Sequence, residues 1–283
     1  MCIRDRLSIL GSTGSVGVQT LDVIRTYPDK FDVIGLAANS NHEVLADQVR
    51  EFSPAVVSCN SYPPMFQKSL PSTTTLCSMN DMAVANDVDI LITATTGYAS
   101  LIPTFEAIEH GKNIAIANKE SVIMAGQSLI DHANKHKASL YPIDSEPSAV
   151  WQCIRGEESA IHKIIITASG GPFRNTPLKD MGKVSPSNAL RHPTWSMGAK
   201  ISVDSATMMN KAFEVIEAKW LFGLKWDQID VTIHPESIVH SIVEFQDGSS
   251  KSQMSYPDMR LPIQHALLSV SYTHLTLPTS DLV

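Results

Sequence analysis

The sequence predicts an α/β protein, a Rossmann-like doubly wound parallel sheet followed by an α+β catalytic domain. Three observations carry this reading. A short apolar run, Leu7–Leu10, enters a glycine-spaced turn and then an amphipathic segment through Arg25. Strand, loop and helix in that order make the unit that gives a glycine motif meaning. Strand-like and helix-like segments then alternate as far as Ile143, the pattern of a parallel sheet. From Ile161 onward the pattern changes to strands, with Asp247-Gly248 as a hairpin signal.

The 283 residues suit one large or two medium domains, and 43% hydrophobic with 18% charged residues is the balance of a globular protein. The net charge of −7, without a dense Lys/Arg block, excludes nucleic acid as an expected partner but leaves room for a local anion pocket. Cys2, Cys59, Cys77 and Cys153 are scattered and read as reduced thiols of a cytoplasmic protein. No apolar run approaches the roughly 20 residues that span a bilayer, so no membrane role is expected. A strand starting at Leu7 leaves no room for a signal peptide before it.

The elements follow in order. Gly11, Gly14 and Gly17 let a turn tighten and a backbone approach a pyrophosphate, which the next helix N-terminus attracts. Phe31–Ala37 is the second strand, and Asn39-Ser40-Asn41 stand where an NAD-binding fold places an acid on the ribose. Neutral groups tolerate a 2′-phosphate, which favours NADP(H); the same residues also suit a cap for a helix starting near His42. Strands are expected at Ala55–Cys59, Ile90–Ala94, Asn113–Ala117 and Ser139–Ile143, helices at Leu101–His110 and Val122–Lys137, and irregular chain at Ser61–Asn80.

Two strand ends carry chemistry. Asn118-Lys119-Glu120 follows one, where Lys119 can hold a substrate oxygen and its neighbours can face a cofactor; the alternative is a helix cap with a first-turn acid. Asp144-Ser145-Glu146 follows the other, and in extended backbone the two acids point the same way. Converging carboxylates call for a cation, and hard oxygen ligands suit Mg²⁺ or Mn²⁺, with Co²⁺ a further option. Glu214 is the natural third ligand.

In the second part, Ile161–Ser169 is a strand entering Gly170-Gly171, a backbone nest for phosphate or an ordinary turn. Pro186–Leu190 is a short helix capped by Ser185, and residues 191–198, with Trp195 and Met197, read as a mobile cover or as surface packing. A helix over Ala206–Leu221 places Asn210, Lys211 and Glu214 on one face, with Met208, Ala212, Val215, Ile216 and Leu221 as the core stripe. That polar face can hold a phosphorylated polyol and a metal, or it is a solvated face with an i,i+3 ion pair and Asp204 or Ser205 as cap. Strands follow at Ile229–His234, Ser241–Phe245 and Ser250–Ser255, and His240 faces the site or is structural.

The motifs GSTGSVG, ANKES, DSE, ASGGPFR, HPTWSMG, ISVDSATMMNK and HPESIVHS occur here in one order. Together they resemble the 1-deoxy-D-xylulose 5-phosphate reductoisomerase family from about Leu7 to about Leu268. The resemblance implies rearrangement and reduction of a small phosphorylated sugar with NADPH and a divalent metal, in a homodimer. It places Thr13, Gly14, Ser15, Val16, Asn39, Ser40, Asn41, Asn118, Glu120 and Gly198 on NADPH. Asp144, Glu146 and Glu214 become metal ligands. Lys119, Ser145, Glu146, Ser169, His192, Ser205, Asn210, Lys211 and Glu214 become substrate contacts, with Trp195 in a flap over them. It also divides the chain into a nucleotide-binding domain, 1–143, a catalytic and dimerisation domain, 144–268, and a tail, 269–283, foreign to the family. Met1–Arg6 is foreign as well, and Pro147 stands where the family commonly has His. Without the three acids, the reading falls back to another NADP-dependent two-domain dehydrogenase, such as a homoserine dehydrogenase type, or to an inactive NADP(H)-binding module.

Overall fold

The computed structural model describes residues 4–195 and 197–270. It opens with β1 (Asp5–Leu10), α1 (Ser15–Thr26), β2 (Phe31–Ala38), α2 (His42–Phe52) and β3 (Val56–Cys59). Next come α3 (Pro64–Ser69), β4 (Thr75–Leu76), α4 (Met79–Val84), β5 (Ile90–Thr93) and α5 (Leu101–Glu109). The first layer closes with β6 (Asn113–Ile116), α6 (Lys119–Ala125), α7 (Gln127–His136) and β7 (Leu140–Pro142). These strands form one parallel sheet in the order β4-β3-β2-β1-β5-β6-β7. The order reverses between β1 and β5, and a doubly wound sheet opens its ligand crevice at that reversal.

The apolar strand runs are buried because helices cover both faces. Leu7, Ile9, Leu36, Ile90 and Ile92 pack in one cluster, and Leu10, Leu91, Ile114 and Ile116 in another. Both faces of each strand are apolar, as a doubly covered parallel sheet requires.

The second part holds α8 (Ser145–Ile154), β8 (Ile161–Ala168), α9 (Pro186–Ala189), α10 (Ala199–Ala206) and α11 (Met209–Phe222). It continues with β9 (Ile229–Ile233), β10 (Val239–Phe245), β11 (Ser250–Met254) and α12 (Arg260–Val270). Its sheet runs β11-β10-β8-β9, antiparallel at β10 and parallel between β8 and β9. Helix α12 returns to pack on α1, β6 and β7 of the first layer.

Several expectations are corrected. The segment expected to be irregular over 61–80 contains α3, β4 and the start of α4. The single helix expected over 122–137 starts at Lys119 and breaks at Gly126, whose φ of +51° an L side chain rarely adopts. The helix expected over 206–221 is α11, starting three residues later at Met209; Ala206 ends the preceding α10, and Met208 between them has a φ of +61°. Its burial differs from the expected stripe as well. The buried residues of α11 are Lys211, Glu214, Glu217 and Ala218, whereas Ala212 of the expected core stripe is exposed and Met208, Val215, Ile216 and Leu221 are half-buried. Val215 and Leu221 of the stripe still pack against apolar clusters, so the charged face and part of the aliphatic one are both covered. Asp144-Ser145-Glu146 is not extended: Asp144 is the N-cap of α8, and the other two begin that helix. Strand β1 takes in Asp5 and Arg6, which pairs with Asp87 and Asp89. Residues 271–283 of the expected foreign tail lie outside the described residues.

Candidate active site

The glycine turn sits at the carboxyl end of β1. Gly17 lies so close to the turn that a Cβ there would be 2.2 Å from the Gly11 carbonyl oxygen and 2.5 Å from Ser12 Cα. Ser12 is buried, exchanging hydrogen bonds with Gln48 of α2 at 2.7 and 2.9 Å, which pins the turn to β2 and α2. Gly14 caps α1 without a side-chain bond, so the first N–H groups of α1 are open toward the crevice.

A cavity of about 460 Å³ runs from Ser15 and Val16 across Lys119 to the second sheet. It brings together the expected Asp144, Ser145, Glu146, Ser169, His192, Trp195, Ser205, Asn210, Lys211 and Glu214. Thr13, Gly14, Asn39, Ser40, Asn41, Asn118, Glu120 and Gly198 do not line it. Several of these side chains are otherwise engaged. Asn118 donates to the Thr95 and Gly97 carbonyls at 2.6 and 2.9 Å and accepts from Ser121 N–H at 2.7 Å. Its amide is therefore a brace for the loop after β5 with no donor left for a ligand. Asn41 caps α2 by accepting from Val44 N–H at 3.4 Å, and Asn39 accepts from the Asn60 side chain at 3.2 Å.

The acids meet from two helices. One carboxylate oxygen each of Asp144, Glu146 and Glu214 lies within 4.8 Å of the others. Lys119 Nζ stands 2.6 Å from Asp144 Oδ2, 3.1 Å from Glu214 Oε1 and 2.8 Å from Asn210 Oδ1. Lys211 Nζ donates to Glu146 Oε1 at 2.6 Å and pairs with Glu214 Oε2. Burial opposes the charged form of Lys119, but Asp144, Glu214 and Glu217 outweigh it and hold its pKa well above the ordinary lysine range. Lys211 is raised in the same way against burial, by Glu146 and Glu214.

These residues fit a divalent cation. Asp144 Oδ2 and Glu214 Oε2 are buried against the ammoniums of Lys119 and Lys211, with no other hydrogen-bond donor on them among the described residues. The donor set is all oxygen, and opposite ligands on a Mg²⁺-sized ion stand about 4.2 Å apart, close to the spread of the trio. Glu217, absent from the sequence reading, lies fully buried beside Asp144. Burial, then the Asp144 and Glu214 charges, push its pKa well above the carboxylate range. Four acids thus face two ammoniums, Lys119 and Lys211. The i,i+3 spacing from Glu214 to Glu217 was the signal that could have found the fourth.

The other end is built to donate hydrogen bonds. His192 Nδ1 accepts from Thr194 and Trp195 N–H at 3.2 and 2.9 Å, so the ring proton sits on Nε2 and is donated to Ser169 Oγ at 2.9 Å. Burial, then the nearby Arg174 charge, lower the His192 pKa and keep the ring neutral. Ser169 Oγ also accepts from Gly171 N–H at 3.2 Å, which leaves the serine proton free for a ligand oxygen. Gly171, at φ +67°, abuts the end of α10; a Cβ would come 2.3 Å from Ser205 O. His240 lines the cavity but bonds Ser255 Oγ at 2.9 Å, so it faces the site and is structural at once. Met197, read above as part of a cover, adds an apolar wall together with Ile201 and Met259, which the sequence reading left unassigned.

Comparison with known proteins agrees with this geometry. Residues 7–126 match the family described as 1-deoxy-D-xylulose 5-phosphate reductoisomerase, and residues 140–222 match its C-terminal domain. The reductoisomerase of Pelotomaculum thermopropionicum is 48% identical over 268 residues, 92% of this chain and 69% of that protein. A solved DOX-P reductoisomerase in complex with NADPH, fosmidomycin and magnesium superposes with a TM-score of 0.88 at 42% identity, over 93% of this chain and 69% of that one. A hyperthermophilic archaeal homoserine dehydrogenase in complex with NADPH shares the fold alone, at a TM-score of 0.64 and 10% identity over 95% of this chain and 96% of that one. The chain therefore belongs to the 1-deoxy-D-xylulose 5-phosphate reductoisomerase family.

Proposed function

We propose that Asp144, Glu146 and Glu214 hold the divalent metal with which this chain isomerises and reduces 1-deoxy-D-xylulose 5-phosphate to 2-C-methyl-D-erythritol 4-phosphate. The observation that carries the assignment is the meeting of three carboxylates from α8 and α11, interleaved with two buried lysines, at the mouth of a nucleotide-binding crevice. When bound, the metal supplies Lewis acidity to the ketone and neighbouring hydroxyl oxygens, and NADPH supplies hydride to the rearranged aldehyde.

The chain's own residues do the rest. Lys119 holds a substrate oxygen with its charge fixed by burial among acids. Ser145, beside Glu146, adds a hydroxyl contact. Ser169 offers its free proton to the substrate phosphate, His192 orients it, and Ser205, Asn210 and Lys211 complete that end. Trp195 closes over the ligand and excludes water. Thr13, Gly14, Ser15 and Val16 receive the NADPH diphosphate at the start of α1, and Asn39, Ser40 and Asn41 receive its 2′-phosphate. Asn118, Glu120 and Gly198 flank the nicotinamide half, Asn118 through its backbone.

The division at residues 143 and 144 belongs to the same proposal, as do the foreign tail from residue 269 and a cytoplasmic homodimer. Supporting the dimer are apolar side chains exposed on the second sheet, among them Val231, Ile233 and Met254. No described helix is long and apolar enough to cross a membrane.

The test follows NADPH absorbance with the sugar phosphate and Mn²⁺, then with a chelator in excess. Substrate-dependent oxidation that stops on chelation is expected. Oxidation indifferent to the chelator, or none with the sugar phosphate, refutes the reading.

A further inference from the structure

We propose that Lys200 is a positioning residue that clamps the cofactor half of the site to the substrate half. Its ammonium bonds Glu120 on α6, pairs with Asp204 on α10 at 2.7 Å, and stands 4.8 Å over the Phe213 ring of α11. Three helices therefore converge on one cation. Glu120 follows Lys119, and its other carboxylate oxygen accepts no hydrogen bond among the described residues. Asp204 precedes Ser205, and α10 leads directly into Asn210, Lys211 and Glu214. The clamp thus ties the start of α6 to α10, beside the direct bonds that Lys119 makes to Asn210 and Glu214 of α11.

The placement of Lys200 runs against local preference, which argues for a task. It is the second residue of α10, whose first turn has no acid. A helix N-terminus disfavours a cation there. The lysine head is 44% exposed, whereas the Glu120 and Asp204 side chains are each 18% exposed, so the two acids form a seat that an extended lysine reaches from the rim. The pair is not a loose surface bridge: the aromatic face beneath and the second acid limit the ammonium to one position. Glu120 is fixed by it through one carboxylate oxygen.

The inference rests on the function proposed above, and two readouts separate them. In Lys200→Met, with NADPH, the sugar phosphate and Mn²⁺, kcat falls about tenfold or more, because a misplacement of about 1 Å costs up to roughly 100-fold. The KM for the sugar phosphate stays within about twofold, since its contacts are intact. The Kd for NADPH, read from nucleotide fluorescence without substrate, rises at least about threefold, a loss of alignment on the cofactor side. Lys200→Arg restores most of both, since a guanidinium reaches two carboxylates. A residue serving stability alone would lower the melting temperature and leave the split between kcat and KM unchanged. A K200M protein with kcat and NADPH Kd within twofold of the parent overturns the proposal, as does K200R behaving like K200M. Should K200M not fold, Asp204→Asn carries the same two readouts. If the parent itself shows no turnover, the functional reading fails, and the NADPH Kd values of parent, K200M and K200R decide the clamp alone.

Discussion

Replacing Glu214 with Gln removes one charge from the carboxylate cluster and almost no volume. Glu214 is 1% exposed and is the hub of the site, touched by Lys119, Asn210 and Lys211. Without its charge, Lys119 keeps Asp144 at 2.6 Å and Lys211 keeps Glu146 at 2.6 Å. No ammonium is stranded, so the metal-free protein should lose less than about 2 kcal/mol, below the 3–5 kcal/mol of a broken buried pair. Cation binding should suffer far more. An outer-shell partner of a metal typically costs 10–100-fold in affinity, and a direct ligand should cost at least about 100-fold, or roughly 2.7 kcal/mol. Free Mn²⁺ counted by electron paramagnetic resonance during titration gives the Kd, and urea unfolding in chelator gives the stability. A Mn²⁺ Kd within threefold of the parent would remove Glu214 from the metal site. A large loss of metal-free stability with unchanged Mn²⁺ affinity would make it a structural ion-pair residue instead.

Three further outcomes are expected. Lys119→Met leaves Asp144, Glu214 and Glu217 without their common ammonium, so the metal-free protein should lose about 3–5 kcal/mol. Added Mg²⁺ should return part of that in a melting curve; no response to Mg²⁺ counts against a cation site there. Gly17→Ala drives a methyl into the Gly11 carbonyl, so NADPH affinity should fall at least about tenfold and stability by about 1–3 kcal/mol, checked by fluorescence titration and urea unfolding. His265, buried against Trp151, is pulled down to about 4 by burial and by Arg155. The unfolded chain binds that proton first, so stability is full above about pH 6.5 and declines toward pH 4, by about 1–2 kcal/mol once partial exposure is allowed for. His265→Phe should flatten that part of a pH series of unfolding midpoints; an unchanged slope would exclude His265 as its source.

The parallel sheet was legible because its strands are apolar on both faces and its turns carry Gly11, Gly14 and Gly17 after an apolar run. The break at Gly126 was not, since a helix tolerates a single glycine; here the close approach of Trp220, 3.1 Å from where a Cβ would sit, accompanies the break. Met208 gave no signal, because a left-handed methionine is imposed by the packing around it. Asp144 and Glu146 were expected to converge from an extended strand. They converge from the first turn of a helix, where Asp144 caps and Glu146 reaches Lys211. Hydropathy assigned the inward side of α11 to its aliphatic residues, since no local pattern reveals that acids and lysines on other elements await the polar side. Lys200 and Glu217 have local neighbours in Asp204 and Glu214, but Glu120 and Asp144, the partners that tie them to the site, lie far away in sequence.

A helix seated by grease can roll and still be satisfied; α11 cannot. Advancing it by one residue turns it about 100°, which would swing Lys211 and Glu214 toward solvent and press Ala212 and Val215 against the carboxylates of α8. Every wrong orientation would strand a charge, so the seat is selective even if it adds little net stability. The orientation that pairs Lys211 and Glu214 is also the one that presents an oxygen cage to the crevice.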